Sequence, residues 1–235
     1  MSCAAVVSAL VTGLTLASTQ PVIVATDAPF PVYTYVDDAR IITGYERDLM
    51  DQVCARAALT CTWVDTTFDK LIPGVMSGKF DVIIGGIAIT AERRQQVDFT
   101  ASYHGTDDTE WYIGRPGAPD PDTAMIAVQA GTVHDSFLRD SGRRHIAFST
   151  EDEMFAALAD GRADLAFGAF EAREDLDDLL AANGYDYLYS DLIADDGIGM
   201  AVCQGNASLL DSLNTALDTL RADGTIDDLE TLWFN

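Results

Sequence analysis

Short apolar runs alternate with segments of helical period along almost the whole chain, the pattern of parallel strands covered by helices. Val22–Ala25, Cys61–Val64 and Asp81–Gly85 read as strands of a first unit. Between them Tyr45, Leu49, Val53 and Ala57 form one apolar helix stripe, and Leu71–Met76 reads as a second helix stopped by Gly78. A second set opens with a strand at Met125–Val128 and a helix from Thr132 to about Asp140. Ile146–Phe148 follows as a strand, Glu151–Ala159 as a helix ended by Gly161, and Leu165–Phe167 as a strand before a helix starting at Ala172–Leu180. Leu209, Leu213, Leu217 and Leu220 then mark an amphipathic helix, with a break at Gly224 and a last helix at Ile226–Trp233. There is no solenoid-type repeat and no low-complexity linker.

This order predicts an α/β protein. Open parallel sheets bind ligands at the carboxyl ends of their strands, which brings Asp27, Gly86 and Ala169 to one cleft. The run Val82–Ile84 ends in Gly85-Gly86 and leads through Ile87-Ala88-Ile89-Thr90-Ala91-Glu92 to Arg93. A guanidinium at such a place grips a carboxylate through two parallel hydrogen bonds, which a lysine does not copy. An isolated arginine after a turn is more often a surface residue, so the motif needs company. Gln129-Ala130-Gly131-Thr132-Val133 supplies some: a strand runs into a helix start, whose N–H groups attract anions, with Thr132 as hydroxyl donor or N-cap.

Six segments in order carry a family resemblance: VIVATDAPF at 22–30, GYERDLMDQVCARAAL at 44–59, FDKLIPGVMSGKFDVIIGGIAITAERRQQVDFT at 68–100, VQAGTVHDSF at 128–137, LADGRADLAF at 158–167 and LNTALDTLRADGTIDDLETLWF at 213–234. Together they resemble the periplasmic amino-acid-binding proteins of ABC importers, the extracellular solute-binding family 3, from about Pro21 to the C-terminus. The resemblance implies two doubly wound α/β lobes joined by a two-strand hinge, type II periplasmic-binding-protein-like. Lobe 1 is then discontinuous, residues 21–109 and 203–235, and lobe 2 spans 110–202, with crossings near Thr109–Arg115 and Gly197–Val202. The implied function is capture of a small carboxylate-bearing solute, amino-acid-like or a derivative, by hinge closure for a membrane ABC permease. The implied protein is a monomer without a cofactor.

The same resemblance places ligand contacts at Asp27, Phe30, Phe68, Gly86, Ala88, Arg93, Gln129, Thr132, Val133 and Ala169. Phe30 and Phe68 supply rings, although a core aromatic and a helix lead-in explain them as well. Gly86 and Ala88 sit where backbone groups or hydroxyls meet the ligand in relatives, many of which have Ser or Thr at the Ala88 position. Arg93 is the carboxylate clamp, and Thr132 closes the second lobe on the same group. Most amino-acid binders place at the Ala169 position an aspartate that pairs with the α-ammonium, and Glu171 stands two residues off. The departure predicts a protein that is no generalist for standard α-amino acids: a dicarboxylate, keto acid, betaine-like amine or N-substituted amino acid fits better.

Composition narrows the partners. A formal net charge of −24, with 38 Asp and Glu against 14 Lys and Arg, excludes neutralisation of a nucleic-acid backbone. Residues 1–20 carry no charge, and the apolar run Val6–Leu16 suits a secretory segment cleaved near Ala17, though a basic start is missing. Export and an oxidising compartment follow from it, and the resemblance implies that the compartment is the periplasm. Members of the family that bind histidine or basic amino acids carry a disulfide at the positions of Cys54 and Cys61, so this pair is expected; two buried thiols are the alternative. Cys3 leaves with the N-terminal segment, and Cys203 is expected to be unpaired and buried. His104, His134 and His145 lack metal-ligand spacing. Two other functions compete: a cyclohexadienyl-dehydratase-like enzyme on a related fold, and a ligand-sensing accessory protein.

Overall fold

The computed structural model describes residues 20–105, 109–170, 173 and 175–234. Residues 1–19 of the expected secretory segment, Cys3 among them, and Glu171 and Ala172 lie outside them. The chain runs through β1 (Val22–Thr26), β2 (Tyr35–Val36), β3 (Ile42–Thr43), α1 (Tyr45–Arg56), β4 (Cys61–Asp65), α2 (Leu71–Met76), β5 (Val82–Ile83), β6 (Val97–Phe99) and β7 (Thr109–Gly114). It continues with β8 (Ile126–Gln129), α3 (Val133–Ser141), β9 (His145–Phe148), α4 (Glu151–Ala159), β10 (Leu165–Gly168), α5 (Leu176–Asn183), β11 (Asp186–Leu192), β12 (Ala201–Cys203), α6 (Ala207–Ala222) and α7 (Thr225–Phe234).

Two five-stranded sheets form two lobes. The first has the order β4-β1-β5-β12-β6, with β1 parallel to β4 and β5 and β12 antiparallel to β5 and β6. The second has the order β11-β7-β10-β8-β9, with β8 parallel to β9 and β10 and β7 antiparallel to β10 and β11. Strand alternation assigns each sheet two apolar faces, so helices must cover both. In the first sheet Val24, Val82 and Val202 pack with Leu49 and Val53 of α1 and Leu213, Leu217 and Leu220 of α6. The intervening Ala25, Ile83 and Ala201 pack with Leu71 and Val75 of α2. In the second sheet Ile113, Ala127 and Ala166 meet Met154 and Leu158 of α4, while Tyr112, Ile126, Val128 and Phe167 meet Leu138 of α3. Each fully buried Leu or Ile contributes about 1.5–3 kcal/mol through area removed from water.

Cys54, late in α1, and Cys61, at the start of β4, form the expected disulfide, with Cα atoms 6.3 Å apart. Cys203 corrects the expectation of an unpaired, buried thiol: it too is disulfide-bonded, and it is only half-buried. No helix among the described residues is long and apolar enough to cross a membrane.

Candidate functional site

The carboxyl ends of both sheets face each other across a closed cleft. Asp27 follows β1, Phe68 follows β4, Gly85 and Gly86 follow β5, Gln129 ends β8, Glu151 follows β9, and Gly168-Ala169 close β10. All of them line one inner cavity, as do Phe30, Ala88, Arg93, Thr132 and Val133. Parallel strands running the same way deliver their loops to a single edge, which is why residues far apart in sequence converge there. An outer cavity adjoins it through Phe30, Ala88, Val133 and Ala169 and adds Tyr33, His104, Glu110, Trp111 and Asp195.

Arg93 is buried at 6% exposure. Its Nη1 donates to the Ala88 carbonyl at 2.9 Å and its Nη2 to the Gly131 carbonyl at 3.0 Å, with the Phe68 ring 5.5 Å away. No carboxylate among the described residues forms an ion pair with it, and burial pulls its pKa down to about 10. Ala88 belongs to the first lobe and Gly131 to the second, so one guanidinium ties both together. A second tie is Gln129 Nε2 donating to Asp27 Oδ2 at 2.8 Å. Gly131 has φ +79°, and a Cβ there would stand 3.1 Å from the Asp69 Cα. Only glycine lets the two backbones approach so closely in that conformation.

Desolvation lifts Asp27 to about 7, with the Gln129 hydrogen bond working against the rise. Glu151 is raised by burial as well, and Arg173, at 3.2 Å, partly offsets that. His134 Nε2 lies 2.8 Å from Glu110 Oε2. Behind the cavity wall Glu46, fully buried, accepts from the Gly86 N–H at 2.7 Å and from the Tyr103 hydroxyl. Thr132 caps α3 by accepting from Asp135 N at 3.2 Å.

A family model described as bacterial extracellular solute-binding proteins, family 3, matches residues 22–235. The chain belongs to this family. The ABC transporter arginine-binding protein 1 of Escherichia coli (strain K12) is 28% identical to it over 88% of each chain. A periplasmic His/Glu/Gln/Arg/opine family-binding protein from Silicibacter pomeroyi, solved in complex with lysine, superposes with a TM-score of 0.80 at 29% identity, over 91% of this chain and 96% of its own. A Salmonella typhimurium periplasmic binding protein with high arginine specificity gives a TM-score of 0.80 at 27% identity, over 92% of this chain and 100% of its own. The two lobes and their two-strand hinge are accordingly the type II periplasmic-binding-protein fold.

For this family 3 protein, all ten residues that the resemblance placed at the ligand line the inner cavity. Two of them have further partners in the fold. The Gly86 N–H is turned to Glu46 and not to the cavity. Phe68 already packs on Arg93, so one of its faces is in use. Glu151, Met154, His134 and Phe167 also line the cavity and were missed by sequence reasoning. Glu151 reads as an ordinary first-turn helix acid, yet its position just after a parallel strand was signal enough to place it at the cleft.

Proposed function

We propose that this protein is a periplasmic receptor that closes on a small carboxylate-bearing solute and presents it to an ABC permease. The observation that carries the reading is Arg93: a buried cation without a carboxylate partner, held at the floor of a cleft by carbonyls from both lobes. A carboxylate is the group whose paired oxygens match that fork, and residues of both lobes stand around the place it would take. The lobes are residues 21–105 with about 197–235, and about 109–196: the expected bounds are corrected because Ala201 and Val202 pair with β5 and β6 of the first sheet and Thr109–Gly114 with β10 and β11 of the second. Ligand contacts from both lobes then select the closed form. Arginine and lysine binding by relatives supports an amino-acid-like solute, while Ala169 disfavours the ordinary α-amino acids. The protein works as a monomer and is not an enzyme.

A thermal-shift screen across amino acids, carboxylates, opines, betaines and polyamines tests this. A bound carboxylate at a hundred times its dissociation constant adds about 2.7 kcal/mol to stability. Stabilisation by polyamines alone would overturn the reading. One observation favours the enzyme alternative: Asp27, raised to about 7, has the pKa of a group able to move a proton at neutral pH. Turnover of prephenate or arogenate would establish that alternative; stoichiometric binding supports the receptor.

A further inference from the structure

His134 lines both the inner and the outer cavity. It lies in the first turn of α3, three residues after Gly131, whose carbonyl Arg93 holds. Buried ring nitrogens are ordinarily hydrogen-bonded within the fold. One of the two here is: Nε2 lies 2.8 Å from Glu110 Oε2, in a pair whose side chains are 7% and 14% exposed. The Phe167 ring meets the imidazole edge to face, with centroids 4.9 Å apart, and is itself stacked on Tyr112. Carboxylate and ring together fix how the imidazole is turned. Nδ1 has no hydrogen-bond partner among the described residues. The side-chain atoms that are both sealed and unpartnered among them are Glu46 Oε2 and Tyr185 Oη, so Nδ1 keeps an open surface on the cavity.

An ionised carboxylate only accepts, so Nε2 carries the proton and, in the uncharged ring, Nδ1 is left as an acceptor. An acceptor that faces the cleft one turn from the carboxylate clamp matches an N–H or O–H on the solute. Thr132 and Gln129 do not take that place. The Thr132 hydroxyl donates to the Gln129 carbonyl at 2.8 Å and accepts from Asp135 N, and the Gln129 amide is given to Asp27. A solute without a donor leaves Nδ1 enclosed and unpaired once the lobes close on it, which weakens binding. Keto acids, simple dicarboxylates and fully methylated betaines are such solutes.

Resting on the reading of the cleft as a carboxylate receptor, we propose that His134 Nδ1, positioned by Glu110, accepts a hydrogen bond from the solute, which is a carboxylate bearing a hydroxyl or an amine N–H on the adjacent carbon. Calorimetric titration of the whole protein at pH 8, where an ordinary histidine is uncharged, tests it with three pairs of probes. These are 2-hydroxyglutarate and 2-oxoglutarate, proline and its N,N-dimethyl betaine, and arginine and 5-guanidinopentanoate. In any pair that binds, the donor-bearing member binds at least about tenfold more tightly, the size of one unsatisfied acceptor. His134→Phe, which keeps a ring against Phe167 but offers no nitrogen, removes that preference. Glu110→Leu lowers the preference in the wild type and not in the His134→Phe background, and it serves alone if His134→Phe does not fold. A preference that survives in these variants, or tighter binding of the donor-free member, overturns the proposal. If none of the six binds, the carboxylate that stabilises the wild type most decides. One that lacks an N–H or O–H donor, or that binds His134→Phe unchanged, overturns the assignment to His134 while the receptor reading stands. If no carboxylate binds, both fail.

Discussion

Replacing Glu46 by Gln tests whether a buried carboxyl behind the cleft governs the pH dependence of stability. Glu46 lies in the first turn of α1 with no exposure; Oε1 accepts from the Gly86 N–H and the Tyr103 hydroxyl, and Oε2 has no hydrogen-bond partner. Burial raises its pKa from 4.5 to about 7, more than those two hydrogen bonds lower it. Because the folded value lies above the unfolded one, the folded protein holds a proton that the unfolded chain releases. The stability this proton supplies is full below about pH 4.5 and is lost as pH rises through about 7. At about 1.36 kcal/mol per pH step, the gap amounts to about 3 kcal/mol. Glutamine keeps an oxygen for Gly86 and Tyr103 but puts an amide N–H₂ where Oε2 lacked a partner, which costs about 1–3 kcal/mol at every pH. Urea unfolding with disulfides intact, followed by tryptophan fluorescence at pH 5 and pH 8, reads the outcome. The variant gains about 3 kcal/mol on the wild type between the two pH values, whatever its offset. Asp27 titrates over the same window in both proteins and so cancels. Parallel pH profiles for wild type and Glu46→Gln would refute the reasoning.

Two further outcomes follow from the geometry. Cys54→Ser with Cys61→Ser, which opens a disulfide spanning seven positions, lowers unfolding stability by about 2–3 kcal/mol in chemical denaturation under oxidising conditions; no change would mean that the α1–β4 turn is held by packing alone. Gly131→Ala places a Cβ 3.1 Å from the Asp69 Cα at φ +79° and so opposes lobe closure; small-angle scattering at saturating ligand reads a more open molecule, and a profile identical to wild type would contradict the close approach.

Much of this fold is legible because strands buried on both faces read as short, near-continuous apolar runs set between segments of helical period. The bounds of α2 and α4 agree with the sequence expectation residue for residue, since Gly78 and Gly161 stop them and Thr150 caps α4 by accepting from Glu153 N. Thr132 was expected as an N-cap and is one. The β11 strand was not read. Its sequence, DYLYSDL, mixes charges with rings because it lies at the sheet edge and only half of it is covered. β2 and β3 are two residues each, too short to show a period. At the site, residues within a contiguous motif were readable, and those defined by a partner across the fold were not. Glu46 looks like a solvated first-turn acid until α1 is docked under Gly86, and Glu151 looks the same until β9 is paired with β8. Cys203 has no local pattern that marks it as bonded.

The central claim is that Arg93 holds a ligand carboxylate between the lobes. Isothermal calorimetry on wild type, Arg93→Ala and Arg93→Lys, with the carboxylate solute that stabilises the wild type most, tests it directly. Losing one partner of a buried charged pair costs on the order of 3–5 kcal/mol, or about two to four decades in affinity. Arg93→Ala is therefore expected to bind at least a hundredfold more weakly while still unfolding cooperatively, and Arg93→Lys, lacking the planar fork, to be weakened as well. A folded Arg93→Ala protein that binds the same solute within threefold of wild type would contradict the claim.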